Sequence, residues 1–456
     1  MQAALTQNGA VTNEDSGSNL LNMFFSIASY RHKESEVAVG DFWKAWAENQ
    51  TLALRLLFYL RDVRGGQGQR QVFRDILKDL ASRIDLSEKF IRWIAEYGRW
   101  DDTFELLDTM NESKLKTILA IELTLENKLL AKWMPREKSA KKELAKKLRK
   151  LLGLSSKDYR KLIAGNTEVV ETLMCSNQWQ EIVYSHVPSQ AGLRYKRAFA
   201  KRDGERYQDY VQSVLDGNVA IKATTLFPHQ LVTKCFEGKY DKTVQALWEN
   251  LPDYLAGTGE SLLPVVDVSG SMEGTPMIVA IALGIYLAER NEGHFKNKFL
   301  TFSESPQWAS VPKGSLDLKV QKVRQADWGY NTDLEKTFRL IKNLAIRNQD
   351  VPDKVIILSD MEFDEACEFR QSSTQTFFES MKDLFAQENL QMPSIIFWNL
   401  SSRSNYPVRV SEWGTVMVSG FSPSIMKHIL KGGGEITPFQ FMLQTLGSDR
   451  YAQIYL

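Results

Sequence analysis

The hydrophobic period of this chain changes once, near residue 256, and that change limits the fold more than any single motif does. Through residues 18–255 apolar side chains recur at intervals of three and four, as in "DFWKAWAENQTLALRLLFYLRDVR" (41–64), "QRQVFRDILKDLASRI" (69–84) and "SEKFIRWIAEYG" (87–98). This is the spacing of short amphipathic helices that must pack on one another. Gly65-Gly66, Ser87 as an N-cap and Gly98 as a stop punctuate them. No repeat of fixed period stands out, so a regular solenoid is not demanded. Beyond 256, short apolar runs at "SLLPVVDVS" (261–269), "KNKFLTFS" (296–303), "DKVIILSD" (353–360), "PSIIFWNL" (393–400) and "TVMVSG" (415–420) alternate with helical spacing at 276–290, 333–347 and 371–388 and after Ser422. Such alternation implies right-handed crossovers and a mostly parallel sheet covered on both faces. The expected fold class is α plus α/β, with an all-helical domain over 1–255 and a doubly wound, mostly parallel domain over 256–456. The length of 456 residues, more than one core usually serves, agrees with two domains.

Composition excludes several classes. Lys and Arg number 57 against 56 Asp and Glu, so overall charge does not point to a polyanionic partner. The steepest local charge lies at 132–161, with 12 basic and 3 acidic residues. Cys175, Cys235 and Cys367 are far apart and lack neighbours at metal-ligand spacing, which suggests reduced, buried thiols in an intracellular protein. Five scattered histidines argue against zinc. The N-terminus lacks a basic region followed by an apolar one, and no apolar run approaches the ~20 residues of a membrane span. The expected localisation is cytoplasmic, without membrane contact.

The segment "PVVDVSGSMEG" (264–274) follows an apolar strand with Asp267, Ser269 and Ser271. A carboxylate and two hydroxyls on alternate positions can converge as the chain turns out of its strand. They then offer hard oxygen ligands to Mg²⁺ or Mn²⁺. "GYNTDL" (329–334) adds Thr332 in a loop before a helix, and "ILSDMEFD" (357–364) adds Asp360 at the end of another apolar strand. In parallel sheets ligands bind beyond such strand ends, where the strand order reverses.

Asp267, Ser269, Ser271, Thr332 and Asp360 together resemble the metal-ion-dependent adhesion site of von Willebrand factor A domains, over roughly residues 256–456. The resemblance implies a Rossmann-like fold, with Asp267, Ser269, Ser271 and Thr332 at or near the metal and Asp360 acting through water. An acidic group from a protein partner would complete the coordination, making the site a ligand-binding device rather than a catalyst. Glu362 and Asp364 either enrich its negative field or are solvated loop charges. A phosphohydrolase reading of Asp267 needs a second Asp two positions on, where Ser269 stands. No G-x-x-x-x-G-K-[ST] loop occurs, and "RGGQGQR" (64–70) reads as a tight turn between helices.

A helical half followed by this site resembles the Ro/TROVE family of RNA-binding autoantigens, whose HEAT-like helical ring is joined to a von Willebrand A domain. Closer still is an uncharacterised related group, through "NGAVT" (8–12), "LLFYLRDVRGGQGQR" (56–70), "YGRWDD" (97–102), "PVVDVSGSM" (264–272), "ADWGYNTD" (326–333), "SDMEFD" (359–364), "IIFWNL" (395–400) and "VSGFSP" (418–423). The Ro resemblance implies RNA as a partner, structured or with a single-stranded end. Candidate contacts are Lys142, Lys146, Lys147, Arg149 and Lys150 on one helix, and Arg194, Lys196, Arg197, Lys201 and Arg202, joined by Arg206, in the cluster "RYKRAFAKRDGERY" (194–207). Tyr195, Phe199 and Tyr207 are close enough in sequence to stack on unpaired bases. Arg61, Arg64 and Arg70 are further candidates, with acids nearby that can pair with them. The expected function is a non-enzymatic RNA-binding scaffold. The alternatives are a protein-interaction adaptor without an RNA role, for example delivering a client to an ATPase, and more remotely a Mg²⁺-dependent phosphohydrolase.

Overall fold

In the central strand Leu262–Asp267 (β1) every residue is buried, and the same holds for Lys354–Ser359 (β4). Successive side chains point to opposite faces, so unbroken burial means that both faces of the sheet are covered. The structure is a computed structural model and describes residues 3–5, 11–167, 169–302, 306–325, 333–348, 350–363, 377–401, 406–408, 410–430 and 436–456. Thr332, Asp364 and Cys367 lie outside the described residues.

With Lys298–Phe302 (β2), Trp308–Ser310 (β3), Ser394–Asn399 (β5) and Thr415–Ser419 (β6), the sheet has the order β3-β2-β1-β4-β5-β6 among the described residues. Every neighbouring pair is parallel except β2 with β3. The antiparallel edge β3 was not expected, because three residues, two half-exposed and one exposed, are too short to show a period. Helix Thr275–Arg290 packs on β1, β2 and β4. Its Gly284 is needed there, since a Cβ would stand 2.6 Å from Val266 Cγ2. The expected helices at 333–347 and 371–388 are found at Leu334–Asn348 and Phe377–Ala386, and Ser422 caps a short helical turn.

The chain divides into two compact units that do not follow a cut between residues 255 and 256. One comprises Met1–Glu34, Ala47–Asn49 and Ala223–Ser448, and the other Ser35–Trp46, Gln50–Lys222 and Asp449–Leu456. Packing explains the sheet unit's extra segments. Helix Pro228–Phe236 lies against Thr275–Arg290 and Leu316–Arg324, and helix Asn19–Phe25 lies against β6. Phe25 O accepts from Asn399 Nδ2 at 2.7 Å, and Ala28 N donates to Ser419 Oγ at 2.9 Å.

The other unit is helical. Gln50–Arg61, Arg70–Arg83 and Glu88–Tyr97 lead it, the last capped by Ser87 Oγ and stopped at Gly98 as expected. The 41–64 pattern breaks at Asn49 into Ser35–Glu48 and Gln50–Arg61. Between Arg61 and Arg70 the glycine-rich segment folds back on the preceding helix, with Gln67 N on Tyr59 O at 3.0 Å. A Cβ on Gly66 would fall 1.9 Å from Tyr59 O, so only glycine fits. Cys175 is exposed rather than buried, because the short helix Val170–Cys175 buries none of its residues.

Asp449–Leu456 completes this unit. Asp62, with a side chain 0 % exposed, accepts from Arg450 Nε, from Arg450 Nη2 at 2.7 Å and from Tyr451 OH at 3.0 Å. Tyr451 packs its ring on Tyr59 and Tyr97. Removing one partner of a buried pair strands the other's charge. Arg450→Ala is therefore expected to lower the unfolding free energy by about 3 kcal/mol in denaturant titration, and deletion of 449–456 to lower it further.

In the sheet unit, His229 stands at the start of its helix between Phe227 and Phe421, with Nδ1 buried and lacking a hydrogen-bond partner among the described residues. Burial, and then the Arg31 charge, lowers its pKa from 6.5 to about 3. Between those values the unfolded chain binds a proton that the folded chain refuses. The stabilisation is thus complete above pH 6.5 and is lost on acidification toward about 3. Thermal melts should show up to ~1.4 kcal/mol lost per pH unit in that window, and His229→Phe should remove that component.

Candidate functional site

β1 and β4 are the neighbouring strands at which the winding of the sheet reverses, and their carboxyl ends carry Asp267 and Asp360. Val266 lies opposite Leu358 in the parallel register, which sets Asp267 beside Ser359. Ser359 Oγ donates to Asp267 Oδ2 at 2.6 Å and accepts from Met361 N at 3.0 Å. Met361 has φ +67°, a left-handed conformation that turns the chain sharply out of β4. Asp360 Oδ1 accepts from Glu362 N at 3.2 Å, and both side chains belong to buried residues.

On the β1 side, Ser269 N donates to Asp267 Oδ1 at 2.9 Å. Ser269 Oγ and Ser271 Oγ lie 3.1 Å apart, Ser269 buried and Ser271 exposed, so the hydroxyl pair runs from the interior to the surface. Gly274, with φ +95°, then carries the chain into Thr275–Arg290. The structure therefore brings Asp267, Ser269, Ser271 and Asp360 to one end of the sheet. Thr332 is the member outside the described residues.

Burial raises the pKa of Asp267, and the neighbouring Asp360 charge raises it further, while hydrogen bonds from Ser359 and Ser269 oppose the shift. Two carboxylates in a dry place are stable as anions only with a compensating cation. The donors are carboxylate and hydroxyl oxygens, which suit Mg²⁺ or Mn²⁺ rather than a thiolate- or imidazole-seeking metal. Among the described residues no three His, Cys, Asp or Glu side chains cluster at ligand spacing, so hydroxyls must supply part of any such shell. Ser359 was missed by sequence reasoning. Its signal is positional, since the residue before a strand-end Asp faces the neighbouring strand's Asp once the parallel register is known.

The basic candidates separate into exposed and engaged groups. On helix Lys142–Leu151, Lys146 pairs with Glu143 at 3.0 Å, Lys147 with Asp108 at 2.6 Å and Arg149 with Glu137 at 3.0 Å. Lys142 and Lys150 are exposed and have no ion pair among the described residues. On helix Ser189–Arg202, Arg194, Arg197, Lys201 and Arg202 are exposed, the first three within one face by three- and four-residue spacing. Lys196 is 5 % exposed and is corrected from surface contact to interior residue, because it shares the face of Leu193 and Phe199. Phe199 and Tyr207 are likewise removed as base-stacking platforms, since both are buried with Tyr184 at ring distances of 5.3 and 4.9 Å. Arg206 is held by Asp203 and covers Tyr184.

Among the described residues no helix is long and apolar enough to cross a membrane. With Asp267 neutral at the same volume, the repulsion from Asp360 disappears. Asp267→Asn is therefore expected to raise the melting temperature in chelator, whereas Ser359→Ala should lower it by removing a buried hydrogen bond worth about 1–3 kcal/mol to the charged group.

A family model described as "Domain of unknown function (DUF2828)" matches residues 6–83 and 95–256. A second, described as "Domain of unknown function (DUF7788)", matches residues 261–445. An uncharacterized protein of Acanthamoeba polyphaga mimivirus is 28 % identical over 97 % of this chain and 87 % of its own. Among solved structures, the Ro (RSR) protein of Deinococcus radiodurans aligns over 94 % of this chain and 96 % of its own, with 14 % identity and a TM-score of 0.39.

Proposed function

The chain belongs to the family described as "Domain of unknown function (DUF2828)", and from that premise we propose that it is a cytoplasmic, non-enzymatic scaffold whose helical unit binds RNA and whose sheet unit is a von Willebrand A domain binding a divalent metal. The observation that carries the metal half is the meeting of Asp267, Asp360 and the Ser269–Ser271 hydroxyl pair at the reversal point of a parallel sheet. Asp267, Ser269, Ser271 and Asp360, with Thr332, would hold Mg²⁺ or Mn²⁺. The ion would supply a coordination position for a carboxylate of a protein partner. Ser359 and the Ser269 amide fix the Asp267 carboxylate for that task. Ser269 stands where a phosphohydrolase would need its acid/base carboxylate, which favours binding over catalysis.

RNA binding draws support from the likeness of the sequence motifs to the Ro family and from the exposed face of Arg194, Arg197 and Lys201. Cations set along one helix face neutralise successive phosphates, with an affinity that falls steeply as salt rises. The adaptor reading has its own observation, since Lys146, Lys147 and Arg149 already face carboxylates of this chain and are less available to phosphate.

Two measurements test the proposal. Saturating Mg²⁺, at about 100 times its Kd, should stabilise the wild type by about 2.7 kcal/mol in thermal melts. Asp267→Ala should abolish that gain, and equal shifts for both proteins would refute the metal site. Fluorescence anisotropy with a single-stranded RNA should show binding that Arg194→Glu with Arg197→Glu weakens at least tenfold. Absence of RNA binding by the wild type at low salt would leave the adaptor.

A further inference from the structure

Residues flanking "RGGQGQR" and the stretch "YGRWDD", none of them used by the sheet site, come together in the helical unit around two buried aspartates. Asp102, with a side chain 0 % exposed, accepts from Arg61 Nε at 2.8 Å, from Arg74 Nε at 2.6 Å and from Arg99 N at 2.9 Å. Asp101 Oδ2 lies 2.8 Å from Arg74 Nη2. Gly98 makes the arrangement possible, because a Cβ there would stand 2.5 Å from Asp102 Oδ2 and 2.8 Å from Ile94 O. Arg61 and Arg74 are thus locked in place. Nη2 of each is engaged by the same carboxylates, 2.7 Å from Asp102 Oδ2 for Arg61 and 2.8 Å from Asp101 Oδ2 for Arg74.

Beside this lattice stand two guanidinium groups with no ion pair among the described residues. Arg99, half-buried, lies with Cζ 4.4 Å over the ring of Trp133. Its pKa is lowered first by burial and then by the like charges of Arg61 and, more weakly, Arg70, with Asp101 and Asp102 opposing. Arg70 is exposed and opens helix Arg70–Arg83, one turn before Arg74. The first turn of that helix has no acidic residue, so a cation sits where the helix dipole already places partial positive charge. Two arginines, Arg61 and Arg74, therefore pair with the two buried carboxylates, Arg99 and Arg70 stand beside them, and Glu105 lies at the rim 3.8 Å from Arg74. Such an excess, on a rigid backing, calls for an anion with several oxygens. Guanidinium forks match phosphate in that role.

We infer that Arg70 and Arg99, backed by Arg74, form a phosphate-binding patch of the helical unit, separate from the face of Arg194, Arg197 and Lys201. The phosphate belongs either to an RNA backbone, which rests on the RNA reading above, or to a free polyphosphate. Trp133 holds the Arg99 guanidinium flat and limits the entropy lost when a phosphate docks.

The test uses the full chain with Arg70→Glu, Arg99→Lys and the double variant Arg70→Ala with Arg99→Ala, each checked for an unchanged melting temperature. Anisotropy with a short single-stranded RNA across a salt series, and thermal shift with inorganic tripolyphosphate, are the two readouts. The double variant should lose RNA affinity at least tenfold, and its slope of log K against log salt should become shallower by about 1.4, corresponding to two phosphate contacts. Arg99→Lys, which keeps the charge without the fork, should fall between. Should the double variant not fold, Arg70→Glu alone, at an exposed position, must still weaken binding. RNA binding unchanged in folded Arg70→Glu and double variants overturns the patch and leaves the RNA reading standing. Stabilisation of the wild type by tripolyphosphate that the variants lose, with no RNA binding, supports the patch and overturns the RNA reading. Binding of neither probe overturns both.

Discussion

Asp267 and Asp360 repel each other across neighbouring strands in a place from which water is largely excluded, and the sheet nonetheless holds them together. Parallel pairing of β1 and β4 leaves no freedom to separate them, because backbone hydrogen bonds fix the register. The surrounding residues soften the conflict without removing it. Ser359 and the Ser269 amide each satisfy one oxygen of Asp267, while the hydroxyls of Ser269 and Ser271 extend the oxygen-rich region outward. Burial and the facing Asp360 charge therefore still raise the Asp267 pKa, a cost that these hydrogen bonds oppose without cancelling.

The helical unit meets the same difficulty with the opposite remedy. Asp62 and Asp102 are fully buried, yet each has arginine partners from distant parts of the chain, and tyrosines close around the first of them. There the charges are spent on architecture, and the glycines at 66 and 98 exist to let backbone and carboxylate approach.

Strands β1, β2, β4, β5 and β6 were legible because continuously apolar runs bounded by helical spacing permit little else. The placement of Asp267 and Asp360 followed from the same runs. The sequence was silent on β3, too short to carry a period, and on which core the helices at 228–249 join. An amphipathic helix displays the same stripe whichever neighbour covers it. Lys196 illustrates a different limit. Counting charges groups it with Arg194 and Arg197, but its three-residue spacing from Leu193 and Phe199 puts it on the inward side. Cys175 shows the converse, a residue type usually interior that here sits on a helix too short to bury anything.

The route of the chain bears on how it is made. Asp62 meets Arg450 across 388 positions, and Phe25 meets Asn399 across 374. A growing chain emerging from the ribosome therefore carries Asp62 without its main counter-charge until Arg450 is made, and helix Asn19–Phe25 without its strand partner until Asn399 is made. Domains ordinarily fold one after another as they emerge. Here Asp62 and helix Asn19–Phe25 find their partners only across 388 and 374 positions, so neither unit is closed by neighbouring sequence alone.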